Sequence, residues 1–159
     1  MPANPAAVPV AITTADGGET IDLGPARIRI LEDGSTTGHR LGMAEITIAP
    51  HTDGPPQHRH ARHDEGFYIV SGTAVFTVGE DRHRATAGTL VMVPPGAPHT
   101  FANPGDEPLV MVNTFTPDLY VQYFRDLRKM MESTGAPLSP DATATVMSSY
   151  ATETATDYA

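Results

Sequence analysis

Two groups of side chains able to ligate a metal constrain this chain more than any other feature. The first is His58-Arg-His60 with Glu65 five residues on, and the second is His99. If the segment is extended, His58 and His60 leave the same face, because side chains alternate along a strand. Three imidazoles and one carboxylate suit a single borderline divalent transition ion (Fe, Ni, Mn, Co or Zn), whereas Mg or Ca would call for mostly oxygen ligands. A metal held by four side chains would keep a further position for water or substrate only at five or six coordination. His58-x-His60 by itself would serve equally as two surface histidines in a polar loop, and Asp64 competes with Glu65 for the carboxylate position.

The surrounding chain reads as short strands. Ala26 to Glu32 alternates Ile28 and Ile30 against Arg27 and Arg29, and Gly42 to Ala49 repeats that period of two, as half-buried strands require. Val10–Thr13 and Thr20–Leu23 are weaker strand candidates. Glu65–Ser71 and Thr73–Gly79 flank Gly72 as a hairpin, and Arg82–Thr86, Leu90–Val93, His99–Ala102 and Leu109–Phe115 follow between turns. Many short strands at such spacing point to a sandwich or barrel. The pattern changes at Thr116-Pro117-Asp118, which reads as an N-cap, an N1 proline and a first-turn acid. Leu119, Tyr120, Tyr123, Phe124, Leu127, Met130 and Met131 then recur at helical spacing. Ser139-Pro140-Asp141 opens a second helix reaching toward Tyr150, and the Thr/Ala-rich remainder, 152–159, is expected to fray.

Composition narrows the function classes. With 159 residues the chain fits one domain. Its net charge of −9 disfavours a phosphate-backbone track, so no nucleic-acid partner is expected. The absence of cysteine excludes disulfides and thiolate ligands and fits a reducing compartment. No apolar run reaches the ~18 residues of a membrane span, and Met1 to Pro9 lacks a signal-peptide pattern, so a cytoplasmic location is expected.

The two clusters resemble the paired motifs of the cupin superfamily. The second motif, G-x5-P-x-G-x2-H-x3-N, is met by Gly88, Pro94, Gly96, His99 and Asn103; the first is met by His58, His60, Glu65 and Gly72. Gly54 departs from it, standing four residues before His58 where the motif has six. The resemblance implies an all-β cupin double-stranded β-helix, a jelly-roll barrel over about 26–115, within a single domain spanning 1–159. It would have an N-terminal arm (1–25) and a C-terminal helical extension (116–151) packed on the barrel. It also implies one divalent metal ion on His58, His60, Glu65 and His99, favours Glu65 over Asp64, and suggests a homodimer with a small-molecule substrate in the cavity.

Chains of this look resemble quercetinase-like dioxygenases, which implies O2 chemistry on an enolic, phenolic or diketone substrate with Glu65 as ligand and general base. The alternatives are a metal-assisted isomerase, lyase or cyclase without redox chemistry, and a non-catalytic binding protein. Met43, Ile48, Phe67, Ile69, Phe76, Val78, Met92, Phe101, Val112 and Phe115 are available as lining or core. Tyr68, Tyr120 and Tyr123 are polar handles or core. Asn103 is expected to tie down backbone. His63, in the turn between ligands, is expected to face solvent, as are His39, His51 and His83, with Arg59 and Arg62 turned outward.

Overall fold

A computed structural model describes residues 8–157; 1–7, most of the Pro/Ala-rich stretch, and 158–159 lie outside the described residues. In chain order the elements are β1 (Glu19–Asp22), β2 (Ala26–Glu32), β3 (Gly42–Ile48), β4 (Thr52–Asp53), β5 (His58–His60), β6 (Asp64–Ser71) and β7 (Thr73–Val78). They continue with β8 (Asp81–Thr86), β9 (Leu90–Val93), β10 (Thr100–Asn103), β11 (Leu109–Thr116), α1 (Val121–Thr134), α2 (Pro140–Ser148) and β12 (Thr152–Thr154).

The strands pair antiparallel in three groups: six in the order β1-β2-β3-β11-β6-β9, four in the order β4-β10-β7-β8, and the pair β12-β5. The alternation read from β2 and β3 sets their inward faces, with Ile28, Ile30, Ala44, Ile46 and Ile48 all buried. The two larger sheets meet through aromatic side chains. Phe67 of β6 lies 5.2 Å from Phe76 of β7 and 5.5 Å from Phe101 of β10, between ring centres. The result is a mixed β-sheet and helix fold. Closure of the sheets into one jelly-roll barrel is not among the pairings of the described residues.

Two glycines explain how the sheets come so close. A Cβ on Gly72, whose φ is +79°, would stand 2.5 Å from the Pro108 carbonyl oxygen. One on Gly54 would meet the Phe101 carbonyl oxygen at 2.2 Å, and the Gly54 N–H donates to that same oxygen at 2.8 Å. The glycine that departs from the motif spacing is thus the point where the chain hugs β10 before entering β5.

Several expectations need correction. Val10–Thr13 forms no strand; Val10 and Ile12 are exposed, and Thr13 Oγ1 donating to the Leu31 carbonyl is a side-chain tether in place of a ladder. Thr116 does not cap α1, because it is the last residue of β11, paired with Asp64. The helix starts at Val121, with Tyr120 at the N-cap making no side-chain cap. α2 begins as expected: Ser139 Oγ accepts from the Ala142 N–H, and Pro140 and Asp141 occupy the first turn. The stretch expected to fray holds β12, whose Thr152, Glu153 and Thr154 pair with His60, Arg59 and His58. Three residues are too few for a period to show in the sequence. No helix of the described residues is long and apolar enough to cross a membrane.

Candidate metal centre

His58, His60, Glu65 and His99 are all buried, and their candidate ligand atoms lie within 4.8 Å of one another. Glu65 stands on β6 between Phe115 of β11 and Val93 of β9. Its neighbour Asp64 is exposed, which settles the competition between the two carboxylates in favour of Glu65. His58 and His60 leave one face of β5, as their spacing requires. His99 arrives by the Pro94-Pro95-Gly96 turn, where Gly96 takes a φ of +87°. That turn is fastened to β5 by its own backbone: Gly96 N–H donates to the His60 carbonyl at 2.7 Å, and His58 and His99 exchange N–H···O bonds at 3.0 and 2.8 Å.

The outer nitrogens of the three rings fix which way the inner ones face. His58 Nδ1 donates to the Pro56 carbonyl at 2.8 Å and His99 Nδ1 to the Ala97 carbonyl at 3.0 Å. Carbonyls only accept, so both protons are assigned to Nδ1. His60 Nδ1 lies 2.7 Å from Thr152 Oγ1, whose own proton goes to the Tyr150 carbonyl, so this ring too donates from Nδ1. All three Nε2 atoms are then left to a shared inner partner, as in metal sites where the second ring nitrogen is anchored. Glu65 Oε2 sits 2.7 Å from His60 Nε2 and 3.0 Å from His99 Nε2. Lone pair against carboxylate at those distances repels unless a proton or a cation intervenes. The donor set therefore fits one divalent ion.

Electrostatics agree. Burial, with His99 nearby, lowers the His58 pKa to about 3 and keeps that ring neutral and free to ligate. Burial alone would push the Glu65 carboxyl up; with a proton on Nε2 of His60 or His99 in place of the ion, hydrogen bonds from those rings outweigh it and hold Glu65 below the ordinary carboxylate range. Asn113 of β11 steadies the other oxygen, donating from Nδ2 to Glu65 Oε1 at 3.2 Å and to the Gly66 carbonyl at 2.9 Å. Asn103 ties down backbone as expected, donating to the Ile48, Ala49 and Glu107 carbonyls.

His63 is the clear correction. It is 1% exposed, and its ring lies 4.2 Å from that of His60 and 5.4 Å from that of Tyr120. Neither ring nitrogen has a partner among the described residues. Burial lowers its pKa to about 4, so the ring is neutral. The turn Ala61-Arg62 resets the parity that His58 and His60 establish, which is why its inward direction was not readable. Arg62, His39, His51 and His83 are exposed, and the half-buried Arg59 pairs with Asp157 and Glu153.

The cluster opens on a cavity of about 280 Å3. His58, Glu65, Asn113, Tyr120 and Tyr123 form its inner end. Ile28, Ile46 and Ile48 make one wall and Phe101 another, while Phe124, Leu127 and Met131 of α1 roof it. Of the lining expected from sequence, Ile48 and Phe101 do line it. Phe67, Ile69, Phe76 and Phe115 are plain core, Met43, Val78 and Val112 are half-buried, and Met92 is exposed. Tyr68 is half exposed; Tyr120 and Tyr123 are stacked 4.3 Å apart, and burial raises the pKa of both phenols, so they stay protonated. Two residues that touch the ligand cluster went unread. Thr152 carries no signal in a three-residue strand, whereas Asn113 interrupts the inward row Leu109, Met111, Phe115 and could have been noticed.

Residues 44–115 match a protein family described as "Cupin domain". Among curated relatives, 86 residues are 29% identical to mannose-1-phosphate guanylyltransferase 2 of Escherichia coli O157:H7, covering 54% of this chain and 18% of that protein. A further 72 residues are 31% identical to an uncharacterized protein of Methanocaldococcus jannaschii, covering 45% of this chain and 57% of that one. The chain thus spans less than two thirds of either relative.

Among solved structures, KdgF from Halomonas sp. superposes with a TM-score of 0.61 at 17% identity, covering 69% of this chain and 94% of its own. A proposed sugar phosphate isomerase from Acidithiobacillus ferrooxidans has a TM-score of 0.50 at 26% identity, covering 57% and 59%. The Streptomyces nucleoside dehydratase Pac13 has a TM-score of 0.56 at 17% identity, covering 69% and 83%.

Proposed function

From a cupin superfamily fold whose buried imidazole–carboxylate cluster can coordinate one divalent ion, we propose a metal-dependent enzyme that moves protons on a small carbonyl or hydroxyl compound without redox chemistry, as an isomerase or lyase does. The observation that carries this reading is the position of Glu65, an ionised carboxylate that lines the cavity and is part of the ligand cluster. One solved structure leans the same way, since it is 26% identical and is described as a proposed sugar phosphate isomerase. Non-redox chemistry is therefore preferred here to the dioxygenase that the motifs first suggested.

His58, His60, Glu65 and His99 would hold the ion, and when bound it would supply Lewis acidity to a substrate oxygen. The chain's own groups do the rest. The Nδ1 contacts to Pro56, Ala97 and Thr152 keep the three rings from turning, so the ligand geometry is preset. The Glu65 carboxylate accepts a proton from the carbon beside the polarised oxygen and returns it to the neighbouring carbon or to the leaving oxygen. Asn113 holds Glu65 Oε1 and so limits which oxygen is free to do this. The apolar walls and the α1 roof offer water few polar partners, which strengthens each of these interactions.

The test loads the protein with Zn, Mn, Ni or Co in turn and follows enolisable hydroxy-carbonyl compounds in D2O by proton NMR, beside an oxygen electrode. Metal-dependent loss of the signal from the carbon-bound proton, absent in Glu65→Gln and without O2 uptake, is the expected result. Uptake of O2 in step with substrate loss would return the site to the oxygenase reading.

A further inference from the structure

The cavity's polar groups are few, and their kinds are informative. None of the described lining residues is Lys or Arg. The charged side chains that do line it, Asp53 and Glu65, are acidic. Along β2 the arginines alternate with the lining residue Ile28, and Arg29 turns away to pair with Glu45 at 3.3 Å. An anion such as a phosphate ester would enter with no cationic side chain to meet it, one carboxylate, Asp53, to repel it, and Glu65 already committed to the ligand cluster.

The inner end adds a second observation. Tyr120 is buried, and its hydroxyl, near those of Tyr123 and Thr152, makes no well-formed hydrogen bond among the described residues. Asn113 is buried as well. Its Nδ2 is committed to Glu65 Oε1 and the Gly66 carbonyl, both acceptors, so the amide's orientation is assigned by its neighbours and Oδ1 is left without a partner. Buried polar atoms are almost always satisfied, and two orphans on one cavity wall beside a ligand cluster mark where a ligand's polar end goes. One is a donor and the other an acceptor.

We infer that the cavity takes an uncharged compound with an apolar body and an adjacent hydroxyl and carbonyl at one end. The carbonyl accepts from Tyr120 Oη and the hydroxyl donates to Asn113 Oδ1, while Ile28, Ile46, Phe101 and Leu127 hold the body. This rests on the proton-transfer reading above and narrows its substrate: phosphorylated sugars are excluded, and an α-hydroxy ketone or its enol is selected. At about 280 Å3 the space lies just below the ~300–1,000 Å3 of drug-sized pockets, so the body is small.

Calorimetric titration of metal-free and Zn-loaded protein tests this with 2-hydroxy-1-phenylethanone, acetophenone and glucose 6-phosphate, beside a Zn titration of the same sample. The hydroxy ketone should bind saturably and about tenfold tighter than acetophenone, which lacks the hydroxyl. It should also lose about tenfold in Tyr120→Phe, a variant checked for an unchanged thermal transition. Glucose 6-phosphate binding as tightly as the hydroxy ketone would overturn the assignment. So would equal affinity for acetophenone, indifference to Tyr120→Phe, or no saturable binding of the hydroxy ketone in either form. If the ketone binds while Zn does not, the ligand class stands and the metal reading falls; if Zn binds and the ketone does not, the reverse holds.

Discussion

Glu65 and His60 face each other across 2.7 Å, yet they stand on different kinds of scaffold. Glu65 belongs to an eight-residue strand hydrogen-bonded on both sides within the six-stranded sheet. His60 ends a three-residue strand whose neighbours are the Gly96–His99 turn and β12, another three-residue strand. One side of the cluster is fixed by long ladders and a buried core. The other is fixed by a handful of local bonds, several of them from residues after Ala151. A bound ion would join the two, so its affinity should report on the weaker side and global stability on the stronger.

The largest effect is expected from removing the residue that bridges the two sides. His99→Ala deletes an imidazole from the ligand set and leaves Glu65 with one fewer partner. Metal affinity should fall more than about 100-fold by chelator competition, beyond what losing an outer partner costs. The far-UV spectrum should not change. Unaltered stoichiometry would mean that the two sides do not share an ion.

Thr152→Val comes next and probes the weaker side alone. It removes the oxygen that anchors His60 Nδ1 while keeping the shape of the side chain. Anchors of this kind are worth about 10–100-fold in metal affinity, and Thr152→Ser should restore most of it. If valine binds metal as well as threonine, then β12 does nothing for the centre and the two scaffolds are equivalent.

The same contrast explains what could be read in advance. The ligands, the turns that deliver His99 and the strands β2, β3, β6, β7 and β11 were legible because side-chain period, glycine and proline chemistry act over a few residues. However, β6 and β7 do not form the hairpin expected about Gly72 and pair in different sheets. What escaped depends on contacts distant in sequence. Thr152 meets His60 across 92 positions, in a strand too short to show alternation. The start of α1 was misplaced because Thr116-Pro117-Asp118 carries local helix-start chemistry, while the pairing of Thr116 with Asp64 keeps Thr116 in the sheet.

A smaller effect is expected at the roof. Arg125 of α1 reaches Glu19 of β1 at 2.8 Å and Asp33 at 3.0 Å, tying the helix to the strong side. Hydrogen bonding to Ser35, then to Arg125, lowers the Asp33 pKa to about 2. A depressed carboxyl contributes stability that is fully present above its unfolded value of about 3.9 and is lost as pH falls toward 2. Arg125→Ala should therefore cost less than about 1 kcal/mol at neutral pH, since these groups are partly exposed. The difference from wild type in urea midpoint should shrink between about pH 4 and 2, and a difference constant through that window would remove Asp33 from the account.

The smallest effect is expected where sequence reasoning erred most. His63 is buried between the two scaffolds, against His60, Phe115 and Tyr120, with neither ring nitrogen satisfied among the described residues. A buried polar ring without partners costs its desolvation and returns only packing. His63→Leu should then leave stability unchanged or raise it by up to about 1 kcal/mol, in contrast to ordinary core substitutions, which destabilise. Metal affinity should stay within a few-fold, because His63 holds none of the Nδ1 anchors. A large loss of metal with an unchanged urea midpoint would give His63 a part in the centre. It would also mean that the weaker side is braced from within as well as by β12.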